Sequence, residues 1–246
     1  MAALITGGTK GIGLAIAKRM AQHGHELFLA YRADDDAAAR ALAELQALGA
    51  KAQAIKADVG TPAGARALVE QVAARTERIE LIVHGAVTVL VGPLLELEPE
   101  ALAEALVVNG ASLVFLVQAA LPLLGRGASV VFLSSRGSRQ IVPNYGAIGA
   151  GKALAESLMR YLVPELAPRG VRINAVAPGT LDTEAVRKLL GAETDAFLAS
   201  EAVRNPSGRN IDHGDHVGLI EFLAGPQAQM IQGQVIFVNG GQYVIA

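Results

Sequence analysis

Three side chains in the stretch from Val130 to Leu162 could do proton chemistry together: the Ser135 hydroxyl, the Tyr145 phenol and the Lys152 ammonium. Val130 to Leu133 is an unbroken apolar run, as in strands buried on both faces, and it ends in the hydroxyl pair Ser134-Ser135. A loop containing Gly137 and Pro143 leads to Tyr145, and Lys152 lies at the start of a long helix rich in Ala and Leu. The three groups therefore gather just past a strand end, where open α/β sheets bind ligands. A phenol with an ordinary pKa of about 10 is a poor acid at neutral pH. An ammonium beside it favours the phenolate and makes proton exchange with a carbonyl-derived oxygen feasible. The competing reading is a structural loop with a partly buried Tyr and a solvated Lys.

A second constellation opens the chain. Ala2 to Ile5 reads as a short buried strand, followed by Thr6-Gly7-Gly8-Thr9-Lys10-Gly11-Ile12-Gly13 and an amphipathic helix with Ile12, Ala15, Ile16 and Met20 on one side. Glycines at 7, 11 and 13 suit a tight strand-to-helix turn, close approach of a pyrophosphate to the main chain, and close packing of helix on sheet. The helix start then offers free N–H groups and a positive dipole end to phosphates, so the turn points to nucleotide binding. The second strand, Leu27 to Tyr31, ends in Tyr31-Arg32, about where NAD-binding units place an acidic residue on the ribose. Arg32, with Lys10 in the glycine turn, suits a 2′-phosphate and favours NADP(H) over NAD(H). Asp34, Asp35 and Asp36 read as the first turn of the next helix, where carboxylates are favourable.

These groups need a scaffold, and the chain alternates accordingly. Helices are expected over 36–48, 62–76, 99–121, from about Tyr145 to Pro164 or Ala167, and over 212–223. Strands are expected at 52–57, 81–84, 172–177 and 235–238. Seven strands alternating with helices imply a parallel sheet covered on both faces, in one domain spanning 1–246. Residues 180–210 break the alternation. This polar stretch, with Asp182, Glu184, Glu193, Asp195 and Glu201, lies past a strand end and is a candidate substrate lid.

Composition narrows the function classes. A formal net charge of −2 offers no globally basic surface for nucleic acid. The absence of Cys excludes disulfides and thiolate metal sites and fits an intracellular setting, and no metal site is expected. His213 and His216 fall in a polar turn, where solvated or capping roles are expected. No leader pattern opens the sequence, and the longest greasy segment, Leu113 to Leu124, is broken by Gln118 and Pro122. A cytoplasmic protein is expected.

Taken together, these residues resemble the short-chain dehydrogenase/reductase family along essentially the whole chain. The resemblance implies a Rossmann-type, doubly wound, seven-stranded parallel sheet with helices on both faces. It implies cofactor contacts at Gly7, Thr9, Lys10, Gly11, Ile12, Gly13, Tyr31, Arg32, Asp58, Val59, Gly85, Ala86, Lys152, Pro178, Gly179 and Thr183. It implies catalytic roles for Ser135, Tyr145, Lys152 and Asn109, with Asn109 supporting Lys152 through a water or a backbone kink. The family's Asn-Asn-Ala-Gly motif falls on His84-Gly85-Ala86-Val87 and keeps only the alanine. Gly85 can still let the cofactor ribose approach, while the asparagine contacts come into question.

Another departure concerns the phenol. Most family members place Tyr four residues before Lys, a slot filled here by Ile148, whereas Tyr145 stands seven before Lys152. Seven residues is roughly 10 Å of helical rise, too far for contact within one regular helix, so Tyr145 must sit at or before the helix start. Such Tyr-x6-Lys spacing resembles the enoyl-acyl-carrier-protein reductases of the superfamily, most closely type III. It implies NADPH-dependent reduction of enoyl-acyl-carrier-protein or enoyl-CoA thioesters. Ser135, helped by Ser134, would contact the substrate oxygen. A 3-oxoacyl-carrier-protein reductase or other short-chain alcohol dehydrogenase is the alternative, and a catalytically silent nucleotide-binding protein the third reading. The resemblance also implies a homotetramer built on the helices around 99–121 and 145–167 and the last strand. It further implies docking of an acidic acyl-carrier protein at Arg126 and Arg169.

Overall fold

The computed structural model describes residues 1–183, 186–187 and 190–243. Its strands are β1 (Ala2–Thr6), β2 (Glu26–Tyr31), β3 (Ala52–Lys56), β4 (Ile79–His84), β5 (Leu124–Leu133), β6 (Arg172–Pro178) and β7 (Val235–Val238). They pair in parallel in the order β3-β2-β1-β4-β5-β6-β7. The winding reverses between β1 and β4, and a ligand crevice lies outside the carboxyl ends of strands at such a switch point. β1 is buried at all five positions, as its run Ala-Ala-Leu-Ile-Thr requires of a strand covered on both faces.

Helices α1 (Gly11–Gln22), α2 (Asp35–Ala47), α3 (Pro62–Ala73), α4 (Pro99–Leu106), α5 (Ser112–Ala120), α6 (Gly146–Leu166), α7 (Thr194–Arg204) and α8 (His213–Ala224) fill the connections. One core joins Phe28, Leu68, Leu116, Phe132 and Met159 under α3, α5 and α6; the other joins Ile16, Leu29, Leu45, Val83 and Ile220 under α1, α2 and α8. Each fully buried side chain of this size contributes about 2 kcal/mol of apolar transfer.

Local chemistry starts the helices where the sequence says. The Asp34 carboxylate accepts from the Ala37 N–H (2.8 Å) at the start of α2. Thr61 caps α3 ahead of Pro62, and Asp212 forms a capping box with Asp215 on α8. Buried Arg172 donates to the carbonyls of Leu223 (2.5 Å) and Gly225 (3.2 Å), so a cation closes the C-terminal end of α8 against β6. His216 differs from the expectation: it is fully buried in the first turn of α8, where the helix packs on the sheet.

The helix expected over 99–121 is a continuous helical run, Pro99–Leu123, interrupted by a π-turn at Val107–Ala111. Its 25 residues, with an 18-residue stretch of mean hydropathy 1.9, are long and apolar enough to cross a bilayer, longer than the segment the sequence suggested. Here Leu113, Leu116, Val117 and Ala120 face the core instead. β5 is also longer than expected, since Gly125-Arg126-Gly127 extends it beyond the buried run.

Candidate active site

Ser135 lies immediately beyond β5, in extended backbone, and its Oγ accepts from the Gly137 N–H (3.2 Å). Tyr145 is the N-cap residue of α6, so the phenol stands before the helix rather than on it. Asn144 turns the chain there with φ 60°, and its carbonyl accepts from the Gly92 N–H (2.9 Å). The Tyr145 ring lies against Gly137, where an added Cβ would come within 2.6 Å of the ring, and the Ser135 hydroxyl is near enough to the phenol to act on its pKa. Ile148, the usual slot for the phenol, is buried in the helix face. The displaced phenol and the serine therefore share one place.

The electrostatics depart from the sequence reading. Burial raises the Tyr145 pKa above its ordinary value, against the opposing effects of the Ser135 hydroxyl and the Arg136 guanidinium. The phenol thus stays protonated at neutral pH, and the cation acting on it is Arg136, not Lys152. Lys152 is buried in α6, donates to the Leu133 carbonyl (2.7 Å) and holds its ammonium 4.5 Å from the Phe132 ring centre. Burial lowers its pKa to about 8, opposed by the Glu156 carboxylate one turn along the helix.

Two buried carboxylates organise the surroundings, and the sequence reading missed the roles of both. Glu156 Oε1 accepts from Ser134 Oγ and Ser138 Oγ (both 2.6 Å), while Arg139 Nε stands 3.4 Å from Oε2. The Ser134 hydroxyl proton is thereby committed to Glu156. The spacing of Lys152 and Glu156, i and i+4 on one helix face, was the available signal. Glu201, read as part of a polar lid, is buried on α7. Its Oε2 accepts from Thr180 Oγ1 (2.9 Å), Tyr243 Oη (3.0 Å) and Arg136 (3.3 Å), and Arg136 stacks 4.2 Å over the Tyr243 ring. Within the expected lid, Glu201 is thus tied to Arg136 of the serine turn; Glu184 lies outside the described residues.

Asn109 sits in the π-turn, fully buried, with Gly151 of α6 packed on its Cβ. Its carboxamide brackets the β4 loop: Thr88 N–H donates to Oδ1 (3.0 Å) and Nδ2 donates to the Thr88 carbonyl (2.9 Å). The amide is spent on that loop, and Asn109 meets the Lys152 turn through its Cβ and backbone against Gly151.

At the switch point, the residues fit a dinucleotide. No side chain caps α1, which leaves its first-turn N–H groups facing the glycine turn. Gly11 has φ +49° and open space around it, whereas a Cβ on Gly13 would collide with the Gly7 carbonyl and one on Gly7 would reach the Gly85 carbonyl at 2.9 Å. Thr9 is buried in the turn, and Ile12 packs on the α1 core. A cleft of about 150 Å³ is lined by Gly7, Tyr31, Arg32, Asp58, Val59 and Ala86, among others. Asp58 Oδ1 accepts from the Gly60 N–H (2.9 Å), holding the turn after β3.

Other expected contacts are differently engaged. Lys10 is ion-paired with Asp34 and Arg32 with Glu104 (3.0 Å), so both cations meant for a 2′-phosphate already meet carboxylates. Tyr31 Oη donates to Asp35 Oδ1 (2.9 Å). Pro178 ends β6, and the Gly179 N–H bonds the Val238 carbonyl (2.8 Å). Thr183 Oγ1 accepts from the Val186 N–H (3.3 Å), a capping role. Arg126 and Arg169 flank the place where the Gly127 N–H donates to the Gly170 carbonyl (2.9 Å), at the N-terminal ends of β5 and β6. That edge is opposite the one bearing Ser135, with roughly 23 Å of strand between Arg126 and Leu133.

Comparison with known proteins agrees with this architecture. A family model described as Enoyl-(Acyl carrier protein) reductase matches residues 7–242. A 1-cyclohexenylcarbonyl-CoA reductase of Streptomyces collinus is 32% identical over 243 residues, covering 99% of this chain and 87% of that protein. An L-rhamnose 1-dehydrogenase of Sphingomonas is 33% identical, covering 98% of this chain and 95% of the relative. A short-chain dehydrogenase of Burkholderia cenocepacia, solved in complex with NADP, superposes with a TM-score of 0.88 at 32% identity, covering 98% of this chain and 96% of that one. The chain belongs to the short-chain dehydrogenase/reductase family and is an oxidoreductase of the kind that works with a nicotinamide cofactor.

Proposed function

We propose that the protein reduces enoyl thioesters, of an acyl-carrier protein or of CoA, with NADPH. The observation that carries this is the Tyr145 phenol, displaced to the N-cap of α6 and packed on Gly137 beside Ser135, where burial raises its pKa. The cofactor would be held by the N–H groups of α1 with Gly7, Gly11 and Gly13 at the pyrophosphate, Asp58 and Val59 at the adenine, and Tyr31 and Arg32 at its ribose. Gly85, Ala86 and Lys152 would hold the second ribose, with Pro178, Gly179 and Thr183 at the nicotinamide. When bound, a reduced nicotinamide supplies a hydride.

The chain's own groups account for what the substrate needs. As the β-carbon of an enoyl thioester gains a C–H bond, the π electrons move towards the α-carbon and the thioester oxygen gathers negative charge. Tyr145 donates its O–H hydrogen bond to that oxygen and Ser135 shares the position. Arg136, half-buried and held by Glu201, adds positive charge beside the phenol. Lys152, whose ammonium donates to the Leu133 carbonyl at the end of β5, would turn to ribose hydroxyls. The α-carbon of the resulting enolate then takes a proton from solvent water, giving the saturated thioester.

The name of the Streptomyces relative supports this reading, because 1-cyclohexenylcarbonyl-CoA is itself an unsaturated thioester. The rhamnose dehydrogenase favours a second reading, in which the same Tyr145 proton goes to an alkoxide formed from a ketone. Assay of crotonyl and acetoacetyl thioesters side by side, each with NADPH and NADH, separates them. Turnover of crotonyl thioester with NADPH well above the others supports the proposal; turnover of acetoacetyl thioester alone overturns it.

Carrier-protein docking at Arg126 and Arg169 requires a neighbouring subunit, since both lie at the far edge of the sheet from their own Ser135. An oligomer such as the implied homotetramer supplies one; exposed Leu154 and Tyr161 on α6 and the edge strand β7 are surfaces it could use. Reversing both charges should slow carrier-protein turnover more than CoA turnover, and equal slowing would overturn docking.

A further inference from the structure

We propose that His84 is a positioning residue: a neutral imidazole of one fixed tautomer that holds the glycine turn, the β4 loop and the π-turn of Asn109 in a single register. His84 ends β4, is fully buried, and pairs in register with Thr6 of β1. Its Nδ1 lies 2.8 Å from Thr6 Oγ1 and its Nε2 2.8 Å from Ser112 Oγ.

The protons along this chain can be counted. Thr6 Oγ1 accepts from the N–H groups of Gly85 and Ala86 (3.1 Å each), which engages its acceptor positions. Its single proton must then go to His84 Nδ1. Nδ1 is therefore the acceptor, Nε2 carries the ring proton, and Nε2–H donates to Ser112 Oγ. The Ser112 hydroxyl in turn donates to the Val108 carbonyl (2.6 Å). Every donor meets an acceptor in one direction only. An imidazolium would oppose two protons at Thr6, and the other tautomer would oppose two at Thr6 while leaving Nε2 with the wrong polarity for Ser112. Burial acts in the same sense, lowering the His84 pKa to about 3 with a smaller contribution from the Lys152 charge.

What the chain joins gives it a functional meaning. Thr6 leads into Gly7 of the cofactor turn, and Gly85 and Ala86 line or adjoin the same cleft. Val108 precedes Asn109 in the π-turn, and Asn109 brackets Thr88 two residues beyond Ala86. The two hydrogen-bond systems thus pin the loop 85–88 from both ends. A shift of the imidazole moves the dinucleotide cradle and the Asn109 turn together.

The proposal rests on the cofactor-binding reading of the cleft and not on the identity of the substrate. Its test uses the full chain with 15N-labelled histidine, the His84 signals being assigned by their loss in H84N. We expect the nitrogen shifts of a neutral Nε2–H tautomer, unchanged from pH 5 to 9. Fluorescence titration with NADPH should show H84F weakening binding at least ~5-fold, with the amide donor and acceptor of H84N restoring it to within ~2-fold. An Nδ1–H tautomer, a titrating ring, or H84F binding NADPH like the parent protein overturns the proposal. Should H84F not fold, S112A, which removes the acceptor at Nε2 and the onward bond to the Val108 carbonyl, must weaken NADPH binding at least ~3-fold, and unchanged binding again overturns it. If NADPH binds to none of the proteins, parent included, it is the cofactor reading that fails, while the tautomer still judges His84.

Discussion

The two ends of the crevice hold their charges in opposite ways. At the end beside β2, Arg32–Glu104 and Lys10–Asp34 are exposed pairs between flexible side chains. At the catalytic end, Lys152, Glu156, Glu201 and His84 are buried, and each has hydrogen-bond partners fixed by packing. Exposed pairs are worth little and exchange readily, whereas a buried group that loses its partner costs several kcal/mol. One end can therefore adapt to a phosphate or its absence, while the other is set once the chain folds.

The largest effect should come from the rigid end. Tyr145→Phe keeps the ring on Gly137 and removes the O–H, and kcat for crotonyl thioester should fall about 100-fold or more. Undiminished NADPH oxidation would remove the phenol from the chemistry. Next, Glu156→Ala leaves Ser134, Ser138 and Arg139 without their acceptor and should cost about 3 kcal/mol in urea unfolding. Glu104→Ala, its exposed counterpart, should stay within about 0.5 kcal/mol. Equal losses would erase the contrast between the two ends.

Lys152 makes a pH test with two opposed signs. Its folded pKa is about 8 against an ordinary 10.5, so between these values the unfolded chain binds more protons than the folded one. Stability from this group therefore rises with pH from about 8 to 10.5. Activity that needs the ammonium moves the other way, with kcat/KM falling above pH about 8. Lys152→Arg should move that limb to higher pH; a limb left in place would assign it to another group. His84 adds an acid limb to stability alone: the unfolded ring protonates near 6.5 and the folded one only near 3, so stability declines as pH falls below 6.5.

The smallest effect tests the adaptable end. A 2′-phosphate must displace Glu104 from Arg32, so Glu104→Gln should tighten NADPH by about 2- to 5-fold and leave NADH unchanged. Titrating both nucleotides by fluorescence checks this, and an equal change for both would place Arg32 outside the phosphate site.

The sequence alone determined the alternation of seven strands with helices, the glycine turn ahead of α1 and the place of Tyr145 at the head of α6. All three follow from hydrophobic period, turn chemistry and helical rise, which act between near neighbours. Only the tertiary structure decided which charges meet. Arg136 rather than Lys152 acts on the phenol, Glu201 is buried 65 residues beyond Arg136, and His84 lies between hydroxyls 78 residues before it and 28 after it. Such contacts depend on how layers pack and on which groups lose water. Period and spacing along the chain carry no record of either.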